Sequence, residues 1–309
     1  MARYILSRIG WGILTLLVIL TFVFFLARLT GDPVRLLLPD QATQADVEAM
    51  RETLGLNRPL VEQYWSFISG AVTLDVGDSI RQQRPALELV LERLPATLEL
   101  AITAFVLGFA IALGLAILGE VTGNRPLRNG LLWAATFRQS VPPYLFGILL
   151  ILILSVNMAL LPAIGRNSLA SYVIPVLTMA TFEVALYLRL FNTFFDEMRS
   201  NDWVRTAIAK GISRPRLVFR HMLPNALLPV ITVAGLNLGI LVGGTVVLEM
   251  VFNWPGMGRL LLEAITRLDR PVIVAYVMVV VVLFVTINLL VDLIYSALDP
   301  RVRLTEATS

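Results

Sequence analysis

The sequence predicts an all-α, polytopic membrane protein with six transmembrane helices and both termini in the cytoplasm. Three observations carry this expectation. Hydrophobic residues make up 57% of the chain, against roughly 45–50% in soluble domains. Mean hydropathy is +0.78, and only 15% of the 309 residues are charged, too few to coat a soluble surface of this size. The apolar residues gather into runs of about 20, the length an α-helix needs to cross a bilayer. Arginines gather on one alternating set of the polar connections, as cytoplasmic loops do.

Composition also excludes. There is no cysteine, so there is no disulfide framework, cysteine-ligated metal or cysteine nucleophile. A single histidine, His221, rules out a multi-histidine metal centre. The net charge of +3 does not point to nucleic acid. The one lysine lies in Ala209-Lys210-Gly211, the wrong order for a nucleotide-binding loop, which needs Gly-Lys followed by Ser or Thr. Neither H-E-x-x-H nor G-x-S-x-G occurs. The expectation is no catalytic residue, no metal site and no enzyme.

In order, residues 1–29 hold Arg3, Arg8 and a first span. Phe24-Phe25-Leu26 runs into Arg28 with no small-x-small cleavage site, so the reading is an uncleaved helix rather than a signal peptide. Residues 30–95 form an extracytoplasmic segment with more acids than bases. Short helices are expected over 46–54 and 60–69, with Tyr64, Trp65 and Phe67 of the second suited to a membrane surface. Asp75 and Asp78 bracket Gly77 in a turn.

Residues 96–309 form the five-helix core. Its first span, 96–118, has Glu99 near its outer end. The next, 130–156, carries Arg138 and the pair Pro142-Pro143, which should kink or break it. The span over 171–190 contains Glu183. Gly235, Gly239, Gly243 and Gly244 in 226–248 should let helices approach closely. An outer loop over 249–271 precedes the last span, 272–294, and a tail with Arg301 and Arg303 ends inside.

The longest basic connection lies within residues 191–225. From Asp202 to Pro224 it reads DWVRTAIAKGISRPRLVFRHMLP, with Arg205, Lys210, Arg214, Arg216 and Arg220 against Asp202 alone. A short helix is expected over 203–210, ended by Gly211. Spacing alone leaves this stretch open between an ordinary solvated loop and a handle gripped by another protein. Among charges in or near the spans, Glu183 is expected to be a structural partner for a nearby arginine or polar group, Arg138 being one candidate, with a pathway group as the alternative. Glu249 is expected to satisfy loop backbone donors near Phe252 to Gly258, and His221 to be a plain loop-to-helix residue.

The basic stretch resembles the EAA signature of ABC importer permeases, in which Glu-Ala-Ala is followed, after three intervening residues, by Gly and, after nine more, by Ile-x-Leu-Pro. Ala207, Gly211, Leu223 and Pro224 match, while Arg205, Thr206 and His221 depart from it. The form D-[WY]-V-R-T-A-x-A-K-G is similar to the first permease of dipeptide, oligopeptide and nickel importers. Six further stretches resemble that family: Asp32-Pro33; Leu54 to Leu60 with Gln63-Tyr64; Gly77-Asp78-Ser79; Thr97 to Ala101; Glu249 to Arg259; and Asp299 to Arg303. Asn192 and Ile208 stand where the family carries arginine.

The resemblance implies a type I ABC importer permease fold in a bacterial inner membrane. It also implies a second related permease, one or two kinds of ABC ATPase that bind the ATP and Mg²⁺, and an extracytoplasmic substrate-binding protein, which segment 30–95 could receive. The ATPase-coupling helix would comprise Trp203, Val204, Arg205, Thr206, Ala207, Ile208, Ala209, Lys210 and Gly211, with Leu223 and Pro224 closing the motif. Implied cargo is di- or oligopeptides, with nickel chelates or glutathione-like compounds as alternatives. A self-sufficient secondary transporter is the rival class; it predicts several mid-membrane carboxylates and inverted repeats.

Overall fold

The computed structural model describes residues 2–29, 43–53 and 55–298. Leu54, the Asp32-Pro33 and Asp299–Arg303 stretches and the arginine-bearing tail lie outside them, as do the side chains of Arg3 and Arg8. Among the described residues the regular structure is helical, apart from one isolated bridge between Asp78 and Pro85. The helices are α1 (Ala2–Leu29), α2 (Gln44–Thr53), α3 (Leu60–Val72), α4 (Ala86–Thr122), α5 (Arg125–Ser140), α6 (Pro143–Leu150), α7 (Ala170–Ser200), α8 (Asp202–Ala209), α9 (Arg214–Leu217), α10 (Leu223–Gly244), α11 (Val246–Val251), α12 (Met257–Thr266) and α13 (Arg270–Leu298). Five stretches are long and apolar enough to cross a membrane, and α5 with α6 makes a sixth, bent by 95°. The stretch Arg214–Gly244 is one of the five, so the helix that carries the fifth span begins inside the basic connection. Its α9 and α10 are joined by the π-helical turn Val218–Met222.

The chain divides into two compact units. One comprises residues 1–97 and 255–286. In it, α2 opens on a reciprocal cap: Thr43 N and Oγ1 donate to Asp46 Oδ2 at 2.9 and 2.7 Å, and Asp46 N donates to Thr43 Oγ1. The side-chain bond from Thr43, then its backbone bond, holds the Asp46 carboxyl below the usual range. Tyr64 and Phe67 correct the expectation of a membrane-surface face. They pack on Phe24 of α1 at 5.2 and 5.4 Å between ring centres, and Tyr64 Oη meets Thr21 Oγ1 at 2.8 Å. Positions 64, 67, 68 and 71 share one helix face, so Ile68 and Ala71 join them in a core with Leu20, Val274 and Met278. Trp65 alone of the three aromatics stays outside.

Beyond α3, Gly77 takes φ +85° and its N–H donates to Asp75 Oδ1, the turn expected there. Residues 78–85 form a tight loop held by Asp269, which is 4% exposed. Its carboxylate accepts from Ser79 Oγ at 2.5 Å and Ile80 N at 3.2 Å. The expected loop over 249–271 is instead largely helical, as α11 and α12. The end of α12 explains part of this. Leu268 adopts φ +51°, and the N–H groups of Leu268 and Asp269 donate to Ile265 and Ala264 carbonyls, a Schellman closure without glycine.

The second unit comprises residues 98–254 and 287–309. Small residues on α4 set its packing: a Cβ at Gly108 would lie 2.8 Å from the Ala180 carbonyl and 2.9 Å from Glu183 Cβ, and Ala112 and Ala116 are buried in the same core as Tyr187, Leu188 and Phe191 of α7. Gly235 on α10 likewise meets Val291 of α13. Gly244 has open space beside it, so the expected glycine contact face does not extend that far.

At Pro142-Pro143 the bend is complete because neither proline can donate a backbone bond, and Pro143 suits the first turn of α6. Arg138 holds the corner. Its guanidinium donates to Val141 O, Thr178 O and Thr181 Oγ1 at 3.1, 2.8 and 3.0 Å and lies 3.6 Å from the Phe146 ring centre. At the end of α11, Asn253 takes φ +49°; Asn253 N and Trp254 N donate to Met250 O and Glu249 O, a second Schellman closure.

Two predictions follow from this packing. Gly108→Leu forces α4 from α7 and lowers stability by about 1–3 kcal/mol, read as a drop in melting temperature in detergent. Gly114→Leu, whose Cβ would meet nothing within 4 Å, serves as the unaffected control; equal melting of the two would refute the close approach. Asp269→Asn leaves one acceptor oxygen for two donors, Ser79 Oγ and Ile80 N, costing about 1–3 kcal/mol. Trypsin should then cut after Arg81 at least several-fold faster.

Candidate functional site

The basic connection begins where α7 ends. Asn201 is extended, and α8 follows at once, with Asp202 in its first turn, where a carboxylate complements the helix dipole. Thr206 Oγ1 bonds back to Asp202 O. The helix stops as its glycine requires: Lys210 caps it, Gly211 takes φ +75°, and the N–H groups of Gly211 and Ile212 donate to Ile208 O and Ala207 O. This is the full Schellman motif.

The two faces of α8 differ. Val204, 2% exposed, enters the core with Leu217, Val218 and Met222, and Ala207 and Leu223 pack against the same cluster. Trp203, Arg205, Thr206, Ile208, Ala209 and Lys210 face outward, as does Pro224. Ile208, where the family resemblance leads one to expect arginine, is 57% exposed, an apolar side chain on an outward face. Asn192, the other departure, is buried and donates to Leu188 O at 2.7 Å. His221 sits 6.5 Å from Trp203, ring to ring, at a helical turn, in keeping with a plain structural residue.

Around α8 the helix ends are braced. Arg199 of α7 pairs with the buried Glu120 of α4 and, at 2.6 Å, with Asp196. Asp196 also takes Arg128 of α5 at 2.6 Å. Arg214 lies over Gly123, whose φ is +61°; a Cβ there would overlap the guanidinium. Sequence reading missed this network, because its members are far apart in the chain.

The second feature lies midway along α7. Glu183 is 4% exposed, and its partner is a polar group of the expected kind rather than Arg138. Arg138 bonds to Thr178 and Thr181 instead, because positions 181 and 183 are about 200° apart around a helix. Glu183 instead accepts from Asn237 Nδ2 of α10. Asn237 Nδ2 also donates to Tyr187 Oη at 2.9 Å. The carboxylate lines a cavity of about 340 Å³ whose wall includes Tyr144, Met179, Phe182, Ile240 and Gly244. The signal for Asn237 was present in the sequence: a lone amide within an apolar span. Glu249 is 0% exposed, and its carboxylate accepts from Thr245 Oγ1 at 2.9 Å while its carbonyl takes the Trp254 N–H. The Trp254 bond is a contact to a loop donor of the expected kind.

Comparison with known proteins fits this arrangement. Residues 123–304 match the family model "Binding-protein-dependent transport system inner membrane component", and residues 1–101 match its N-terminal membrane-component companion. The chain is 38% identical over 304 residues to the "Glutathione transport system permease protein GsiC" of Escherichia coli (strain K12), covering 98% of this chain and 99% of that protein. The protein of the same name in Salmonella choleraesuis (strain SC-B67) is 38% identical over 305 residues, with the same shares covered. Among solved structures, the inward-facing MetNI methionine ABC transporter in its CY5 native crystal form aligns with a TM-score of 0.54 at 21% identity, over 68% of this chain and 96% of that chain; its SeMet-soaked form gives 0.56 at 20%, with the same coverage. These share the fold. With both family models matched and relatives aligned end to end, the chain belongs to the binding-protein-dependent transport system inner membrane components: it is a multi-pass permease component of an ABC importer, with the type I permease fold.

Proposed function

We propose that this permease forms half of the translocation pathway for short peptides and peptide-like compounds, pairs with a second related permease, and is driven through α8 by a partner ATPase that binds ATP and Mg²⁺. The observation that carries the cargo class is the near full-length identity to permeases named for glutathione transport. Glutathione is itself a tripeptide, so this cargo falls within the peptide class. The arginine excess of 202–224 supports a cytoplasmic position for α8 and both termini. The binding protein delivers cargo on the opposite face.

The anchoring of α8 suits it to transmit force. Val204 ties the helix to the core, and the Schellman stop at Gly211 fixes its exit. α7 then runs unbroken from Ser200 back past Glu183 at the cavity wall. Movement of a docked ATPase would therefore shift α7 as a rigid body, a hinge-or-shear transition rather than a local melt. Trp203 and Ile208 are the outward apolar contacts available to the ATPase.

Ala207 is half-buried, so a charge there would disturb the core before the docking face. Ile208→Glu changes that face directly. It should leave the permease in the membrane at normal levels and cut cargo uptake about tenfold, the loss of roughly 1.4 kcal/mol at an interface anchor. Wild-type uptake with Ile208→Glu and Trp203→Ala combined would refute the coupling role. The cargo class is tested by uptake of labelled dipeptide, glutathione and nickel chelate in cells expressing the whole importer: peptide or glutathione uptake supports it, and uptake of the chelate alone overturns it.

A further inference from the structure

We infer that Glu183 and Asn237 form a transit site for the protonated amino group of the cargo, deepening the proposed function on which this rests. Four observations converge. Glu183 lies about 20 Å along α7 from its first residue, at about 1.5 Å per residue, which puts the carboxylate near mid-membrane. An ionisable group at that depth is costly and needs a compensating partner. Its hydrogen-bond partner, Asn237 Nδ2, is a neutral donor, and among the described residues no arginine or lysine pairs with it. A carboxylate has about four acceptor positions, so room for a further donor remains.

The third observation is the cavity. At about 340 Å³ it falls within the range of small-molecule sites, and Glu183 and Asn237 are polar groups on a wall otherwise made largely of Tyr144, Met179, Phe182 and Ile240. An apolar wall with one anion accepts an ammonium group whose attached chain is of variable character. It gives orientation without the tight hold that would stop release. A single carboxylate with one amide is too few hard ligands for a chelated divalent metal. The fourth observation is that Gly108 brings α4 against Glu183 Cβ, so the side chain is backed by a helix and its position is fixed. A purely structural hydrogen bond to Asn237 would be served by glutamine without burying charge.

The test uses the complete importer in proteoliposomes with saturating loaded binding protein. The probes are Ala-Ala and its lactyl analogue, in which a hydroxyl replaces the amine; the binding protein's own preference is measured separately and divided out. Wild-type flux should favour the amine about tenfold, Glu183→Asp should keep part of that preference, and Glu183→Gln should abolish it while retaining assembly and ATP hydrolysis stimulated by the binding protein. An equal amine preference in wild type and Glu183→Gln would overturn the site while leaving the peptide-importer reading intact. Failure of the wild type to carry either probe would overturn both. Should Glu183→Gln fail to assemble, Gly244→Leu tests the same cavity from a position with open space beside it: Ala-Ala flux should fall several-fold with assembly retained, and unchanged flux would refute the site.

Discussion

Inside a bilayer every backbone polar group must find its partner within the protein, and the structure of this permease follows from how it meets that demand wherever a helix stops or turns. The 95° corner between α5 and α6 is the severest case. Two prolines remove donors and leave carbonyls without helical partners. Arg138 supplies those donors, taking the Val141 carbonyl from the corner itself and Thr178 O from the neighbouring helix. The positive charge is offset by the Phe146 ring face and by carbonyl dipoles rather than by a carboxylate. One side chain thus converts a broken span into a fixed elbow, and α6 can then lie along α7.

The same demand recurs at smaller scale. α8, α11 and α12 each close with paired Schellman bonds, using Gly211, Asn253 and Leu268 in the left-handed region. Glycine is unstrained there, asparagine tolerable and leucine costly. The costly one is held beside Asp269, whose carboxylate is fixed by Ser79 and Ile80. The stop at Gly211 thereby fixes the angle at which the chain leaves α8 for α9.

The sequence made legible what depends on composition and local chemistry. The spans, the break at Pro142-Pro143, the stop at Gly211 and the turn at Gly77 all came from residue type and spacing, and the family came from short motifs in order. What it hid depends on partners distant in the chain. Tyr64 and Phe67 read as a membrane-surface pair until α1 provides Phe24 as a contact. Glu183 and Arg138 looked like mates because opposite charges in apolar spans invite pairing, yet helix rotation separates them. The packing stripe of α4 escaped notice because Ala112 and Ala116 look like any other apolar residues. The glycines of α10 looked like one contact face, whereas Gly244 opens onto the cavity.

Arg138 and Glu183 together show where function sits in such a protein. Both are ionisable groups on helices that cross the membrane, and both carry the cost of that position. Arg138 has every nitrogen committed to a protein acceptor, so its charge is spent on architecture and its removal would loosen the elbow. Glu183 holds a neutral donor, Asn237, and lines empty volume. A saturated polar group in a membrane explains a shape, whereas an unsaturated one beside a cavity calls for a ligand. Arg138's nearest contact on α7, Thr181, is two residues from Glu183, so the helix that shapes the elbow also presents the carboxylate. Any motion that α8 imparts to α7 would move both, coupling the elbow's geometry to the site's exposure without a separate relay.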